Sequence, residues 1–203
     1  MGLVENLVGE GWLKTPEIIR AFQKIKRVDF LPENLKHLAE LNEALPIGFG
    51  QTISQPLVVA FMLELLEPKE GEKILDIGFG SGWTTALLAE IVGEKGKVVA
   101  IEILPELFEF GKKNVQKYNF LEKKRVKVIL GNGKEGCKEE APFDKILVSA
   151  CAKRLYPAWK EQLKIGGKIV VPMESSIFLF VKKGKEQFEQ KEFPGFAFVP
   201  FIE

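Results

Sequence analysis

The chain has 203 residues, 46% of them hydrophobic and 28% charged, with a formal net charge of +1. That length suits one domain with a sizeable core, and so small a net charge gives no electrostatic reason to expect nucleic acid or an anionic membrane as partner. A single histidine, His37, and two cysteines outside any CxxC pair, Cys137 and Cys151, leave no zinc or thiol-redox framework and no serine-type triad to assemble.

In chain order, the opening "MGLVENLVGEGW" lacks a basic segment followed by an apolar one, and the longest apolar runs are too short to span a bilayer. A cytoplasmic protein that meets no membrane is therefore expected. Residues 3–41 read as helical pieces, with Thr15 and Pro16 as N-cap and first helical residue of "EIIRAFQKI". Ala44 to Pro56, "ALPIGFGQTISQP", carries no charge and reads as a tight, hydroxyl-rich loop. Pro56 then opens the apolar helix "LVVAFMLELL".

From Gly71 the rhythm changes. "EKILDIGF", "GKVVAIEI", "RVKVILG", "FDKILVSA" and "GGKIVVPM" are short buried strands, and "WTTALLAEIVG", "ELFEFGKKNVQKYN" and "YPAWKEQL" are helices set between them. Strands alternating with helices predict a parallel sheet covered on both faces. "SIFLFVKKGKEQFEQKEF" and "FAFVPFIE" have no long helix between them and predict an antiparallel hairpin at the sheet edge, leaving "SIFLFV" as an exposed edge or a dimer contact. The predicted fold is α/β, a doubly wound, mostly parallel seven-stranded sheet with that C-terminal hairpin and an N-terminal helical extension. It forms a single domain over 1–203.

Asp76, Ile77, Gly78, Phe79, Gly80, Ser81 and Gly82 join the first strand to its helix. Glycines there let the backbone turn sharply and approach a ligand, and the helix N-terminus behind them offers free N–H groups. A dinucleotide fingerprint has the spacing GxGxxG; this loop has GxGxG. The shorter form suits a ligand whose amino acid end lies over the loop, and so favours S-adenosylmethionine over a nicotinamide cofactor. Glu102 ends the second strand, where a carboxylate accepts from ribose hydroxyls. Asn132 and Gly133 follow the third, within reach of an adenine edge.

Together "LPIGFGQTISQP", "ILDIGFGSGW", "VVAIEI", "GNGKEG", "APFDKILVSA", "QLKIGGKIVVP" and "FVPFIE" resemble the protein-L-isoaspartate O-methyltransferase family, from about Ile18 to the C-terminus. The resemblance implies a class I, Rossmann-like methyltransferase fold, with residues 1–55 as helical segment and substrate loop and 56–203 as core. It implies methyl transfer from S-adenosyl-L-methionine to the free carboxylate of L-isoaspartyl residues in damaged proteins and peptides. The family's active-site serine falls on Ser54, with Ile47, Thr52 and Ile53 beside it in the substrate loop. Its cofactor set falls on Asp76, Gly78, Phe79, Gly80, Ser81, Gly82, Glu102, Asn132 and Gly133. No metal is implied, and a monomer without nucleic-acid partner is expected. Three features depart from the family pattern: Asn132 stands where Asp is usual, "SACAKRLYP" brings Lys153, Arg154 and Tyr156 into a segment of small residues, and Phe79 and Trp83 are large. These motivate two alternatives, an S-adenosylmethionine-dependent methyltransferase of different substrate and a non-catalytic S-adenosylmethionine-binding homologue.

The neutrality of the loop fits the implied chemistry. A carboxylate is already ionised at pH 7, so transfer to it needs positioning and no general base. A cationic pocket would hold the ground state too well; hydroxyls and backbone N–H groups orient without trapping. From spacing alone, Ser54 or Gln55 is equally explained as a cap of the following helix.

Overall fold

The computed structural model describes residues 2–203. Two short helices, α1 (Leu3–Gly9) and α2 (Pro16–Lys24), and two 3-10 turns, Arg27–Phe30 and Glu33–Leu38, precede the uncharged segment. Thr15 and Pro16 stand at the N-cap and first helical position of α2 as predicted. The Thr15 hydroxyl does not cap its own helix; it donates to Glu64 Oε2 at 2.7 Å and ties this region to α3 (Pro56–Leu66).

The uncharged segment folds as a hairpin. β1 (Leu45–Gly48) runs antiparallel to β2 (Gln51–Ile53), with Leu45 opposite Ile53 and Gly48 opposite Gln51. α3 begins directly after it, and its first N–H groups need acceptors. Neither Ser54 nor Gln55 provides one. Asn42, ahead of the hairpin, does: its Oδ1 accepts from the Leu57 N–H at 2.9 Å, and its main-chain oxygen accepts from Gln55 Nε2 at 2.9 Å. One residue thus caps α3 and fastens the two feet of the hairpin together.

The main sheet contains β3 (Lys73–Ile77), β4 (Lys97–Glu102), β5 (Val126–Leu130), β6 (Phe143–Val148), β7 (Leu163–Met173), β8 (Ser176–Lys182) and β9 (Phe188–Pro194), in the order β5-β4-β3-β6-β7-β8-β9. β3 to β7 are parallel; β8 and β9 are antiparallel additions. Between strands lie α4 (Trp83–Val92), α5 (Pro105–Gln116) and α6 (Pro157–Gln162). Strand residues alternate between two cores. Ile74, Val98, Leu147 and Val170 join the cluster formed with α1 to α5. Leu75, Val99, Val148 and Val171 join Trp159 of α6 and Phe201 on the other face. From β3 the chain steps outward to β4 and β5 and returns to β6 on the other side, so the crevice of the doubly wound sheet opens at the C-terminal end of β3.

The sheet has the predicted seven strands, but the last is not the predicted one. "FAFVPFIE" is not in the sheet. β9 comes from "FEQKEFP", paired to β8 from Ser176 opposite Pro194 to Lys182 opposite Phe188. β8 is therefore an interior strand, and the edge is β9, whose Glu189, Lys191 and Glu192 discourage further pairing. Gly195, at φ 97, turns the chain out of the sheet. The remaining residues cross the strand ends, where Cys151 N–H donates to Val199 O at 2.8 Å and Phe201 N–H to Cys151 O at 2.9 Å. An apolar-rich segment reads as a strand in sequence; here Phe201 packs on Tyr156 and Trp159 and Phe196 stacks on Phe61, contacts that a place at the sheet edge would not give.

Asn42→Ala removes the only side-chain acceptor at the start of α3 among the described residues. It is expected to lower unfolding free energy by about 1 kcal/mol, measured by denaturant titration.

Candidate active site

The loops that leave β3, β4 and β5 start at one level and are stitched to their neighbours. Gly78 N–H donates to Ile101 O at 2.8 Å, Gly131 N–H to Glu102 O at 2.9 Å, and Ser149 N–H to Ile77 O at 2.9 Å. The cavity between these loops is lined by Gly78, Phe79, Gly80, Ser81, Glu102 and Gly133 of the predicted cofactor set. Its outer wall is the hairpin, through Ile47, Thr52, Ile53 and Ser54. A Cβ placed on Gly80 would lie 3.4 Å from Ile47 Cδ1, so hairpin and glycine loop are in near contact.

Close approach also governs the rear of the loop. Gly82, at φ 84, backs onto α5, where a Cβ would lie 2.8 Å from Gly111 O and 2.8 Å from Val115 Cγ2. A side chain on Gly111 would in turn meet the Gly80 carbonyl and, at 2.6 Å, the Phe79 ring. The bulk of Phe79 is thus accommodated by the missing side chain of Gly111, and the ring also packs on Phe108 at 5.9 Å. Trp83 does not enter the cavity. It is buried against Phe22, ring centroids 5.5 Å apart, beneath the Arg27 guanidinium.

Glu102 is buried and held by main-chain donors. Its Oε2 accepts from Gly80 N–H at 2.9 Å, and its Oε1 from Ile103 and Leu104 N–H at 2.8 and 3.0 Å. These bonds fix a carboxylate at the cavity wall beside the apolar side chains of Ile103, Leu104 and Leu107. Asp76 lies behind the loop and does not line the cavity. It is fully buried; Oδ2 accepts from the Thr85 hydroxyl at 2.6 Å and Oδ1 has no partner among the described residues. Burial pushes its carboxyl up to about 7; the negative charge of Glu102 adds to this and the Thr85 hydrogen bond opposes it. Asn132 also stands back from the cavity, whose wall there is Gly131 and Gly133. Its Oδ1 accepts from Lys134 N–H at 3.1 Å and caps the 3-10 turn Gly133–Glu135, while Trp159 Nε1 donates to Gly133 O at 2.8 Å.

Two contributors lie outside the predicted site residues. Arg27 is 5% exposed and lies under the hairpin. Its Nη1 donates to the carbonyls of Ala39 and Leu41 at 3.2 and 2.9 Å, and its Nη2 to those of Glu43 and Ser54 at 2.6 and 3.3 Å. Burial lowers its pKa to about 10, with Glu40 opposing, so it stays charged at neutral pH. The second contributor is the C-terminal segment, whose Val199, Pro200, Phe201 and Ile202 line the cavity. "SACAKRLYP" anchors this segment. Tyr156 packs on Phe201 at 5.8 Å, Arg154 covers the Tyr156 ring, and Lys153 pairs with Glu203 at 3.1 Å. None of those three side chains lines the cavity.

A family model for protein-L-isoaspartate(D-aspartate) O-methyltransferase matches residues 1–203. The chain belongs to this methyltransferase family. Curated relatives named protein-L-isoaspartate O-methyltransferase include one from Ignicoccus hospitalis, 41% identical over 99% of this chain and 96% of its own. Another, from Thermococcus onnurineus, is 43% identical over 98% and 91%. A Plasmodium falciparum crystal structure titled as a complex with S-adenosyl-L-homocysteine superposes with a TM-score of 0.88, covering 98% of this chain and 96% of that one, and at 24% identity it establishes the shared fold. Within this methyltransferase, Gly111 and Arg27 are the residues whose chemistry is plain only in three dimensions.

Two outcomes follow. Arg27→Met leaves main-chain carbonyls buried without their donor and is expected to cost roughly 3–5 kcal/mol of stability; a loss below about 1 kcal/mol would mean that the hairpin is held by other contacts. Asp76 has a folded pKa of about 7 against an ordinary 3.8, so the native state holds the proton more tightly than the unfolded chain. Its contribution is full below about pH 4 and is lost as pH rises toward about 7. Asp76→Asn should remove that slope, seen as a variant-minus-wild-type difference in urea midpoint that grows across this window. A constant difference would contradict the burial argument.

Proposed function

We propose that this methyltransferase moves the methyl group of S-adenosylmethionine to the free carboxylate of an L-isoaspartyl residue in damaged proteins and peptides, with Ser54 orienting that carboxylate. The observation that carries the site assignment is a shared wall. Thr52, Ser54, Ser149 and Val199 line the inner cavity on one side and, on the other, a groove completed by Ala44, Gln55, Val58, Ala197 and Phe198. The inner cavity holds the cofactor determinants and the outer groove is open to a polypeptide. The α-carboxylate, which branches directly from the isoaspartyl main chain, reaches from one to the other beside Ser54.

The inner cavity fits the cofactor. Three main-chain amides hold the Glu102 carboxylate in place at the cavity wall, and the acceptor capacity left on it suits a ribose hydroxyl. Ile103, Leu104 and Leu107 offer an apolar flank for a flat base. The left-handed glycines at 78 and 80 allow the main chain to approach an amino acid end without side chains in the way. When bound, S-adenosylmethionine would supply a methyl group activated by its sulfonium for transfer to the carboxylate oxygen, the sulfur keeping the electron pair and leaving as a thioether.

The protein's part is placement. Among the described residues, Glu102 is the only charged side chain lining either the cavity or the groove. No cation is there to chelate the acceptor, so attraction that would be lost as the charges neutralise is kept out of the ground state. Arg27 supports Ser54 through its carbonyl, has Nη1 and Nη2 committed to main-chain oxygens, and itself lines neither cavity nor groove. The hydroxyls of Thr52, Ser54 and Ser149 supply orienting groups instead. The capping alternative for Ser54 loses its force because Asn42 caps α3.

Wild type is expected to methylate an isoaspartyl peptide and not its aspartyl twin. Ser54→Ala should lower kcat on that peptide by roughly 10- to 100-fold with little change in S-adenosylmethionine affinity by calorimetry. Near-wild-type turnover would remove Ser54 from the mechanism.

A further inference from the structure

The tip of the hairpin breaks a local rule. Gly48 is paired with Gln51, so Phe49 and Gly50 form a two-residue connection, with φ of 55 and 70. Positive φ at both central positions is the signature of a type I′ turn, which favours Asn-Gly and disfavours a bulky side chain at the first position. Phe49 is nevertheless there, and its side chain is not used inside the fold: the residue is 59% exposed, the most exposed aromatic among the large hydrophobic residues that face solvent. A strained main chain carrying an unburied ring is a double loss for folding. Such conflicts between local preference and residue choice concentrate at functional positions.

Its place says which function. Two residues before it Ile47 lines the inner cavity, and two residues after it Gln51 does so as well. The same hairpin carries Thr52 and Ser54 in the wall shared with the outer groove. The tip itself lines neither cavity nor groove; Phe49 stands exposed at the end of the hairpin that bounds both, where a bound polypeptide can cover its ring. We infer that Phe49 is a specificity-determining contact for the substrate, packing against an apolar side chain next to the isoaspartyl residue. The contact rests on the activity proposed above. The absence of charge from both cavity and groove, apart from Glu102, extends the same preference along the path. Main-chain contacts accept any sequence; an exposed aromatic ring adds a graded preference for apolar neighbours, and such neighbours become available where damage has loosened a fold.

The test uses the full chain and two isoaspartyl peptides that differ only in the flanking residues, leucine in one and glycine in the other. Wild type should favour the leucine peptide in kcat/KM by roughly 5- to 10-fold, a partial version of what a hydrophobic pocket achieves per buried group. Phe49→Asn suits the turn and should fold at least as well, with Tm unchanged or raised by about 2–4 °C; its preference should fall to within about 2-fold, through KM on the leucine peptide. S-adenosylmethionine affinity should not move. Phe49→Tyr should retain the preference. Retention of the preference in Phe49→Asn, its absence in wild type, or a parallel fall on both peptides together with cofactor affinity would each overturn the inference, the last by showing a displaced hairpin. Wild type that methylates neither peptide would overturn the activity and this contact together, which a flat ratio between two good substrates would not.

Discussion

The arrangement depends on one buried guanidinium. Arg27 gathers the carbonyls of Ala39, Leu41, Glu43 and Ser54, which lie on the segment entering the hairpin and on the residue leaving it. Carbonyl oxygens turned inward on a loop are costly unless paired, and a buried cation is costly unless hydrogen-bonded. Each side solves the other's problem. A planar fork can serve acceptors separated in direction in a way that an ammonium cannot. The guanidinium also lies over the Trp83 ring at 5.5 Å, and Trp83 opens the helix that follows the glycine loop. The hairpin wall and the glycine-loop wall of the cavity therefore share a support.

That support explains how a neutral surface can be placed against a sheet whose crevice carries two acids. Asp76 and Glu102 follow one another across β3 and β4, and they are handled differently. Glu102 receives three amide hydrogen bonds and remains a fixed acceptor facing the cavity. Asp76 receives one hydroxyl and is turned into the core beneath α4. The result is a cavity with one sign of charge at one end and only hydroxyls, amides and apolar groups at the other. The C-terminal segment completes the enclosure with side chains held from behind by Tyr156 and Trp159.

Much of this was legible in the residues because it is local or follows strand ends. The glycine spacing, the acid closing β4 and the uncharged "TIS" element each lie where a short motif meets a regular element, and all reach one cavity. What was not legible depends on partners distant in sequence or on partners without side chains. Arg27 binds carbonyls, which every residue has, so nothing in the spelling marks its acceptors. Gly111 sits inside a helix, where glycine reads as a weakness; only the loop pressed against it gives the reason. Asn42 anticipates α3 from beyond a hairpin, so the cap was sought at the adjacent Ser54 and Gln55. "FAFVPFIE" has the composition of a strand, and composition does not reveal that Phe196 and Phe201 find their ring partners, Phe61 and the Tyr156–Trp159 pair, on a path across the strand ends.

Asn132 and Gly133 carry an irony of chemistry. An asparagine followed by glycine is the pair in which the next residue's nitrogen most readily attacks the side-chain amide, ejecting ammonia and closing the five-membered ring from which isoaspartate arises. This catalyst holds such a pair beside its own cavity. Here the amide oxygen is engaged by Lys134 N–H, and Gly133 is wedged under Ile77 with its carbonyl bonded to Trp159. Cyclisation at that bond first requires the short turn to open, so the ageing of the enzyme at this point is governed by the breathing of one capped turn.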